Sequence, residues 1–350
     1  MLFRITARQH GGVARRYYSG ERLVEGYPVS TWGTLDIPFG RPLAWADAKK
    51  LFEGRNPDTG EQLIRRRKGV HKSGWDATFV APKTVSILWG IGGDKLKDLI
   101  EEAHRYAVVE ALNTFIPKSV FIRDNHGDLC VGGYIFDHGM TRMRDPHLHT
   151  HFFLLNMGYA GDTQKFRALT VNYRWASVAK DLYLVSLAWG LVSRGIPVVK
   201  IGNEFEIPGL RPLKKLFSSA GEVFSQKKMT TEDWKKFKQD KDLSKSFQRL
   251  SNLWKTKAIV SGFDVDQFLK NLSSPNSTPG SISGGSVDIW KVRHVSRIWS
   301  QIARMSIGKT HLSEVKTIAE NLEKEYMSKV WPLVVAKSEN IEPTIERSGD

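Results

Sequence analysis

The chain opens on an alternation of apolar and polar positions from Leu2 to Arg8. That is the period of a half-buried strand, and Gly11-Gly12 breaks it. A basic, helix-like stretch follows through Tyr17 and Tyr18. Leu43 to Phe52 has helical spacing, and Asn56-Pro57-Asp58-Thr59-Gly60 is a turn by composition. After a basic run, Arg65-Arg66-Arg67-Lys68, the segment Trp75–Val80 predicts a strand sending Asp76, Thr78 and Val80 to one side. Asp98 to Phe115 repeats apolar residues at helical intervals. Val120–Arg123 and Leu129–Phe136 flank Asn125-His126-Gly127-Asp128 and predict a hairpin. A strand from His147 to Met157, a turn region from Gly158 to Thr163 and a short strand Lys165–Leu169 come next. They lead into a helix from Ala176 to Arg194, closed by Gly195. Val198–Ile201 and Phe205–Ile207 pair as a small hairpin.

Beyond Pro208 the β signal fades. Residues 212–271 are rich in Lys, Ser and Trp with helical spacing, Ser273–Ser286 has the composition of a flexible linker, and a last helical block covers Ile289 to Val335. The expected fold is therefore α+β, with a central, mainly antiparallel sheet flanked by helices and a helical C-terminal region. The expected division is a catalytic core over 1–210, a helical clamp over 211–272, a linker over 273–286 and a helical segment over 287–350. In the last third, Trp234, Trp254, Trp290 and Trp299 stand among basic residues. Such tryptophans can stack on single-stranded nucleic acid, but burial as anchors of their helices is the commoner fate.

Composition sharpens this picture in two ways. Lys and Arg number 52 against 37 Asp and Glu, a net charge of +15, which suits a polyanionic partner because each neutralised phosphate releases condensed counterions. The single cysteine, Cys130, allows no intramolecular disulfide and fits a reducing compartment. The N-terminus lacks the apolar core of a secretory signal, and the longest nearly apolar stretch, Leu182–Val192, is too short to cross a bilayer. A soluble, cytoplasmic protein without membrane insertion is expected.

Four of the ten histidines fall within the fifteen residues from Asp137 to His151. On a strand, His147, His149 and His151 share a face, with neighbours about 6.6–7 Å apart at Cα and the outer two about 13 Å apart. The outer pair is too far apart for all three to hold one ion comfortably. His138 ends the preceding strand, and a turn at Asp145-Pro146 would return the chain so that His138 stands beside His149 and His151. Three neutral imidazoles leave coordination positions open, as a catalytic metal requires. Imidazoles alone favour zinc, copper, nickel or manganese over magnesium.

Several blocks in this order resemble those of the MobF-type conjugative relaxases, the TrwC/TraI family of the HUH endonuclease superfamily. They are Thr6-Ala7-Arg8-Gln9, Tyr17-Tyr18, Phe52 to Glu61, Asp76 to Ser86, and His138 to Met157 with Asp145-Pro146 and His149-Thr150-His151. The likeness covers about residues 1–210. It implies an HUH-type palm carrying a three-histidine site, helical fingers over the DNA, and nicking of single-stranded DNA beside a hairpin at an origin of transfer. The implied product is a 5′-phosphotyrosine adduct that passes with the strand to a recipient cell, with a coupling protein and a secretion apparatus as further partners. By the motif, His138, His149 and His151 are the metal ligands, magnesium or manganese the metal, Tyr17 the first nucleophile and Asp76 an acidic residue near it.

The chemistry needs these parts. A phenol ionises near pH 10 and is a weak nucleophile at neutrality, so Asp76 either accepts the Tyr17 proton or holds the ring in place. Adjacent helical residues point about 100° apart, so Tyr18 packs, positions DNA or serves a second transfer. The family's second tyrosine pair is missing; only Tyr27, followed by Pro28, stands in that region. Arg65, Arg66, Arg67, Lys68 and Lys72, with His71, form a basic patch before the Asp76 strand, and Lys83 follows it; phosphate contact and a solvated charge run are both open to them. Ser306-Ile307-Gly308-Lys309-Thr310 is not a phosphate loop, since Ala303 replaces the first glycine and no strand precedes it. A helicase half is thus expected to be absent, the chain being a fragment or a short relaxase. Rolling-circle replication initiators and transposases share the chemistry, and a decayed DNA-binding module is the reading from another class.

Overall fold

The computed structural model describes residues 2–9, 29–64, 72–123, 127–141, 143–218, 247–272, 287, 292 and 294–330. Tyr17, Tyr18, Tyr27, Arg65, Arg66, Arg67, Lys68, His71, Trp234, Trp290 and the 273–286 stretch lie outside them.

Strand β1 (Phe3–Gln9) and β2 (Ser30–Gly33) precede helix α1 (Ala48–Phe52) and β3 (Lys72–Val80). Helices α2 (Lys83–Ile91) and α3 (Asp94–Ser119) follow, then the two-residue strands β4 (Val120–Phe121) and β5 (Leu129–Cys130). The long strands β6 (Gly132–Met140) and β7 (Pro146–Leu155) come next, with β8 (Gly158–Ala160), β9 (Lys165–Arg167) and β10 (Thr170–Val171) behind them. Helix α4 (Ala176–Val192), the ribbon β11 (Val199–Ile201) and β12 (Glu204–Glu206), and helices α5 (Leu213–Leu216), α6 (Phe247–Val260), α7 (Val265–Leu272), α8 (Ser296–Ser306) and α9 (Leu312–Lys329) follow among the described residues.

Five strands form one antiparallel sheet in the order β1-β3-β7-β6-β2. Side chains on neighbouring strands that face each other across the register share a side of the sheet. One side carries Trp75, Ala77, Phe79, Phe152 and Leu154, and with α3 and α4 they form the main apolar core. The other side is divided. Tyr134, Phe136, Phe153 and Leu155 pack beneath Leu35, Leu51, Phe52 and Ile64 as a second apolar cluster. Beside them the same side turns polar at Asp76, Thr78, His138, His149 and His151. The burial of side chains from both sides makes this sheet the rigid base on which the polar patch rests.

The expected α+β class and the β6–β7 hairpin are both present. The predicted pairing of Val120–Arg123 with Leu129–Phe136 is not: β4 pairs with β10, and β5 pairs with β8. Each is too short to hold a hairpin on its own, so distant partners decide its place. Helix α2 went unforeseen, and α3 is longer than its periodic stretch, running through Pro117 in its last turn. Trp254 and Trp299 are buried, 4% and 0% exposed, so they anchor α6 and α8 in the core. Leu250, Trp254, Trp299 and Leu312 belong to the same core cluster as the sheet.

Candidate metal centre

Register brings the three histidines together. His138 on β6 faces His149 on β7, and His151 lies two positions further along on the same side. Ring centroids are 5.0 Å apart for His138 and His149, 5.1 Å for His138 and His151, and 5.2 Å for His149 and His151. One nitrogen from each ring lies within 4.8 Å of the other two. Nitrogens sharing an ion at about 2.0–2.1 Å each stand roughly 3–3.5 Å apart, a gap that small ring rotations close. The cluster therefore fits a divalent metal.

A β-bulge shapes the near end of the site. His138 faces His149, but the next pair is Met140 with Pro146, so His147 and Leu148 together oppose Gly139 alone. Gly139 is required there: a Cβ would stand 2.2 Å from the Trp89 ring. Trp89 is itself held by Glu101, which accepts its indole N–H at 2.8 Å. Burial raises the Glu101 carboxyl to about 7. Helix α2 also ties down the start of β7, since the Leu148 amide donates to Ser86 Oγ and Lys83 Nζ donates to the Pro146 carbonyl. Burial lowers the Lys83 ammonium to about 8, partly offset by Asp145.

The ring orientations follow from their partners. His149 Nδ1 donates to the His147 carbonyl at 2.7 Å, because a carbonyl can only accept. His151 Nδ1 donates to Asp76 Oδ1 at 2.8 Å, with Thr78 Oγ1 at 3.1 Å. Both rings thus turn Nε2 toward the cluster. A carboxylate behind a ligating imidazole fixes its tautomer and raises its basicity. Burial, then the charge of the neighbouring histidines, lowers His149 well below its ordinary value, which keeps it neutral and able to donate a lone pair.

Asp76 is 2% exposed. Burial alone would raise its carboxyl, but the His151 hydrogen bond and charge, followed by those of Arg8, hold it well below the usual carboxylate range. Arg8 Nη2 donates to Asp76 Oδ2 at 2.6 Å. In the structure Asp76 thus stands as a partner to both His151 and Arg8. His147 lies tilted beside His149 at 4.7 Å between ring centroids but is outside the three-nitrogen group. Lys72 is exposed, with Nζ 4.9 Å over the Trp75 ring.

Behind the ligands, on the helix side, runs a buried polar chain that sequence reasoning missed. Thr150 donates to Asp137 Oδ1 at 2.5 Å, His104 Nε2 meets Thr150 Oγ1 at 2.8 Å, and His104 Nδ1 meets Tyr183 at 2.8 Å. Arg105 closes it at Asp137 Oδ2, 3.0 Å away. Asp137 and Thr150 are interleaved with the ligands, so the chain clamps β6 and β7 in the register that the cluster needs. Arg8 and Thr78 were given no role at the site by sequence reasoning, although Thr78 was placed on the side of Asp76 by strand alternation and Arg8 stood in the Thr6–Gln9 block.

A family model described as TrwC relaxase matches residues 6–258. The multifunctional conjugation protein TraI of Escherichia coli strain K12 is 30% identical over 203 residues, covering 52% of this chain and 11% of that protein. A second Escherichia coli TraI is 38% identical over 117 residues, 31% of this chain and 6% of its own length. The chain thus spans only a small part of these relatives. Among solved structures, a metal-bound complex of conjugative relaxase TrwC with oriT DNA superposes with a TM-score of 0.60 at 24% identity, covering 75% of this chain and all of that one. A copper-bound complex of the same relaxase gives 0.61 at 23% identity, with the same coverage.

Proposed function

From the premise that this chain belongs to the TrwC relaxase family, we infer that it is a relaxase, nicking one strand of origin-of-transfer DNA and keeping the new 5′ end on a tyrosine. The observation that carries this reading is the meeting of His138, His149 and His151 within one nitrogen cluster, with a buried carboxylate behind His151.

His138, His149 and His151 are the residues that would hold a divalent metal, magnesium or manganese in the cell. Such an ion, when bound, offsets charge on the non-bridging oxygens of the scissile phosphate. Asp76 orients His151 and is itself paired with Arg8. Tyr17 is the nucleophile: its oxygen bonds to phosphorus, the bond from phosphorus to the 3′ oxygen breaks, and that oxygen leaves as a hydroxyl carrying a proton. The phenolic proton is lost in the same exchange. One phosphoester replaces another, so resealing needs no nucleotide triphosphate. Tyr17 lies eight positions after the end of β1, and eight residues span about 28 Å at most, a tether long enough for the phenol to reach the centre. Lys72, with the Arg65–Lys68 run, serves the DNA backbone, while Lys83 is spent on the Pro146 carbonyl and Tyr18 and Tyr27 take secondary parts.

The test is a denaturing gel of labelled single-stranded origin DNA incubated with the protein and manganese. A covalent protein–DNA band should form, vanish with a chelator, and be lost in Tyr17→Phe while Tyr18→Phe and Tyr27→Phe keep most of it. Cleavage without the band would point to hydrolysis by water, and binding without cleavage to a decayed module.

A further inference from the structure

The edge strand β1 lies next to the strand that supports the metal ligands. Arg4 faces Thr78 and Thr6 faces Asp76 across the β1–β3 register, and Thr78 in turn faces His151. Arg4, Thr6 and Arg8 therefore share the side of the sheet that carries the three histidines. Arg8 is fixed there by its bond to Asp76 Oδ2, yet its side chain is 38% exposed. Arg4 is exposed and makes no ion pair among the described residues. Asp76 is the lone carboxylate that the five strands place on this side, and it is buried and neutralised, so no negative charge on the strands opposes an incoming anion.

We propose that the outward side of β1, with Arg4 and Arg8 on either side of Thr6, is a binding edge for backbone phosphates of single-stranded DNA at the nick. This deepens the relaxase reading of the site and rests on it. A guanidinium is a planar fork matched to phosphate oxygens, and Arg8 is already oriented by Asp76, so little side-chain freedom remains to be lost on binding. A phosphate over the three imidazoles is then flanked on the β1 side by Arg8, held by Asp76, and by the exposed Arg4. A role as mere counter-ion for Asp76 accounts for Arg8 but leaves Arg4, on the same side and two register positions from Thr6, without a reason.

Salt dependence reads the contacts directly. Each phosphate contact to single-stranded DNA contributes about 0.7 to the slope of log affinity against log salt. Binding of a fluorescent oligo(dT) probe is followed by anisotropy across a salt series, alongside titration of each protein with Mn2+ alone. Arg4→Gln and Arg8→Gln should each lower the slope by about 0.7, while Lys324→Gln, on α9 behind the helices, leaves it unchanged. Arg4→Gln should bind Mn2+ as the wild type does. Slopes equal to wild type in both arginine variants, or an equal drop in Lys324→Gln, overturn the proposal. A loss confined to Arg8→Gln and matched by weaker Mn2+ binding also overturns it, leaving only the counter-ion role. Wild-type protein that binds the probe with the expected slope but forms no tyrosine adduct on origin DNA would instead sink the relaxase reading.

Discussion

Replacing Asp76 by asparagine separates two roles for an acidic group beside a nucleophile. In the structure its Oδ1 accepts from His151 at 2.8 Å and its Oδ2 from Arg8 at 2.6 Å. Asparagine still offers His151 a carbonyl but removes the charge. A hydrogen bond to a charged group contributes about 1.5–3 kcal/mol and a neutral one about 0.5–1.5 kcal/mol, so the change removes about 1–2 kcal/mol of orientation at one ligand. At 1.4 kcal/mol per factor of ten, Mn2+ affinity should fall about 5- to 30-fold, overlapping the roughly 10- to 100-fold found for partners of metal-binding histidines. Isothermal titration with Mn2+ measures this, and the adduct assay repeated at saturating Mn2+ should recover most of the nicking. Unchanged Mn2+ affinity together with lost adduct would refute the reasoning, because Asp76 would then act on Tyr17 and not through His151.

Three further outcomes follow from the geometry. His149→Ala should abolish tight Mn2+ binding, whereas His147→Ala should keep it within a few-fold, since it is the His147 carbonyl and not its ring that holds His149; equal losses in titration would refute the three-nitrogen assignment. Gly139→Ala places a methyl 2.2 Å from the Trp89 ring and should cost about 1–3 kcal/mol by overpacking, seen as a lower midpoint in calorimetry; an unchanged midpoint counts against the bulge as drawn. Burial lowers His104 to about 4 from its ordinary 6.5, so between those values the unfolded chain binds the extra proton. Its contribution is complete above pH 6.5 and fades as pH falls toward 4, by about 3 kcal/mol in all. Urea unfolding at pH 7.5 and pH 5 should show the difference, and His104→Gln should shrink it; an equal difference in both proteins rejects the buried neutral histidine.

Much of the site was legible because its determinants are local. Two-residue spacing on β7 aligned His149 with His151, and Asp145-Pro146 marked the return that set His138 opposite. The expectation that all three of His147, His149 and His151 share a side could not anticipate the bulge, which depends on Trp89 filling the space over Gly139. The β4–β5 hairpin failed because two-residue strands take partners from distant segments, and no local pattern encodes those. Helix α2 escaped notice because every residue from Thr84 to Ile91 is buried, so it lacks the polar face that makes a helical period visible. Asp76 stood out as acidic, but its partner emerged only when β3 was paired with β7.

The interleaving on β6 and β7 has a consequence for how such a chain can change. His149, Thr150 and His151 point by turns to the cluster and to the His104 chain, and Asp137 and His138 do the same. Adding or deleting one residue within either strand would exchange the two sets, pushing imidazoles into the helix-packed interior and Thr150 or Asp137 out onto the opposite side of the sheet. Length variation among descendants of this sequence should therefore be tolerated in the connecting turns and be lethal within the strands themselves, even where every deleted residue is chemically dispensable.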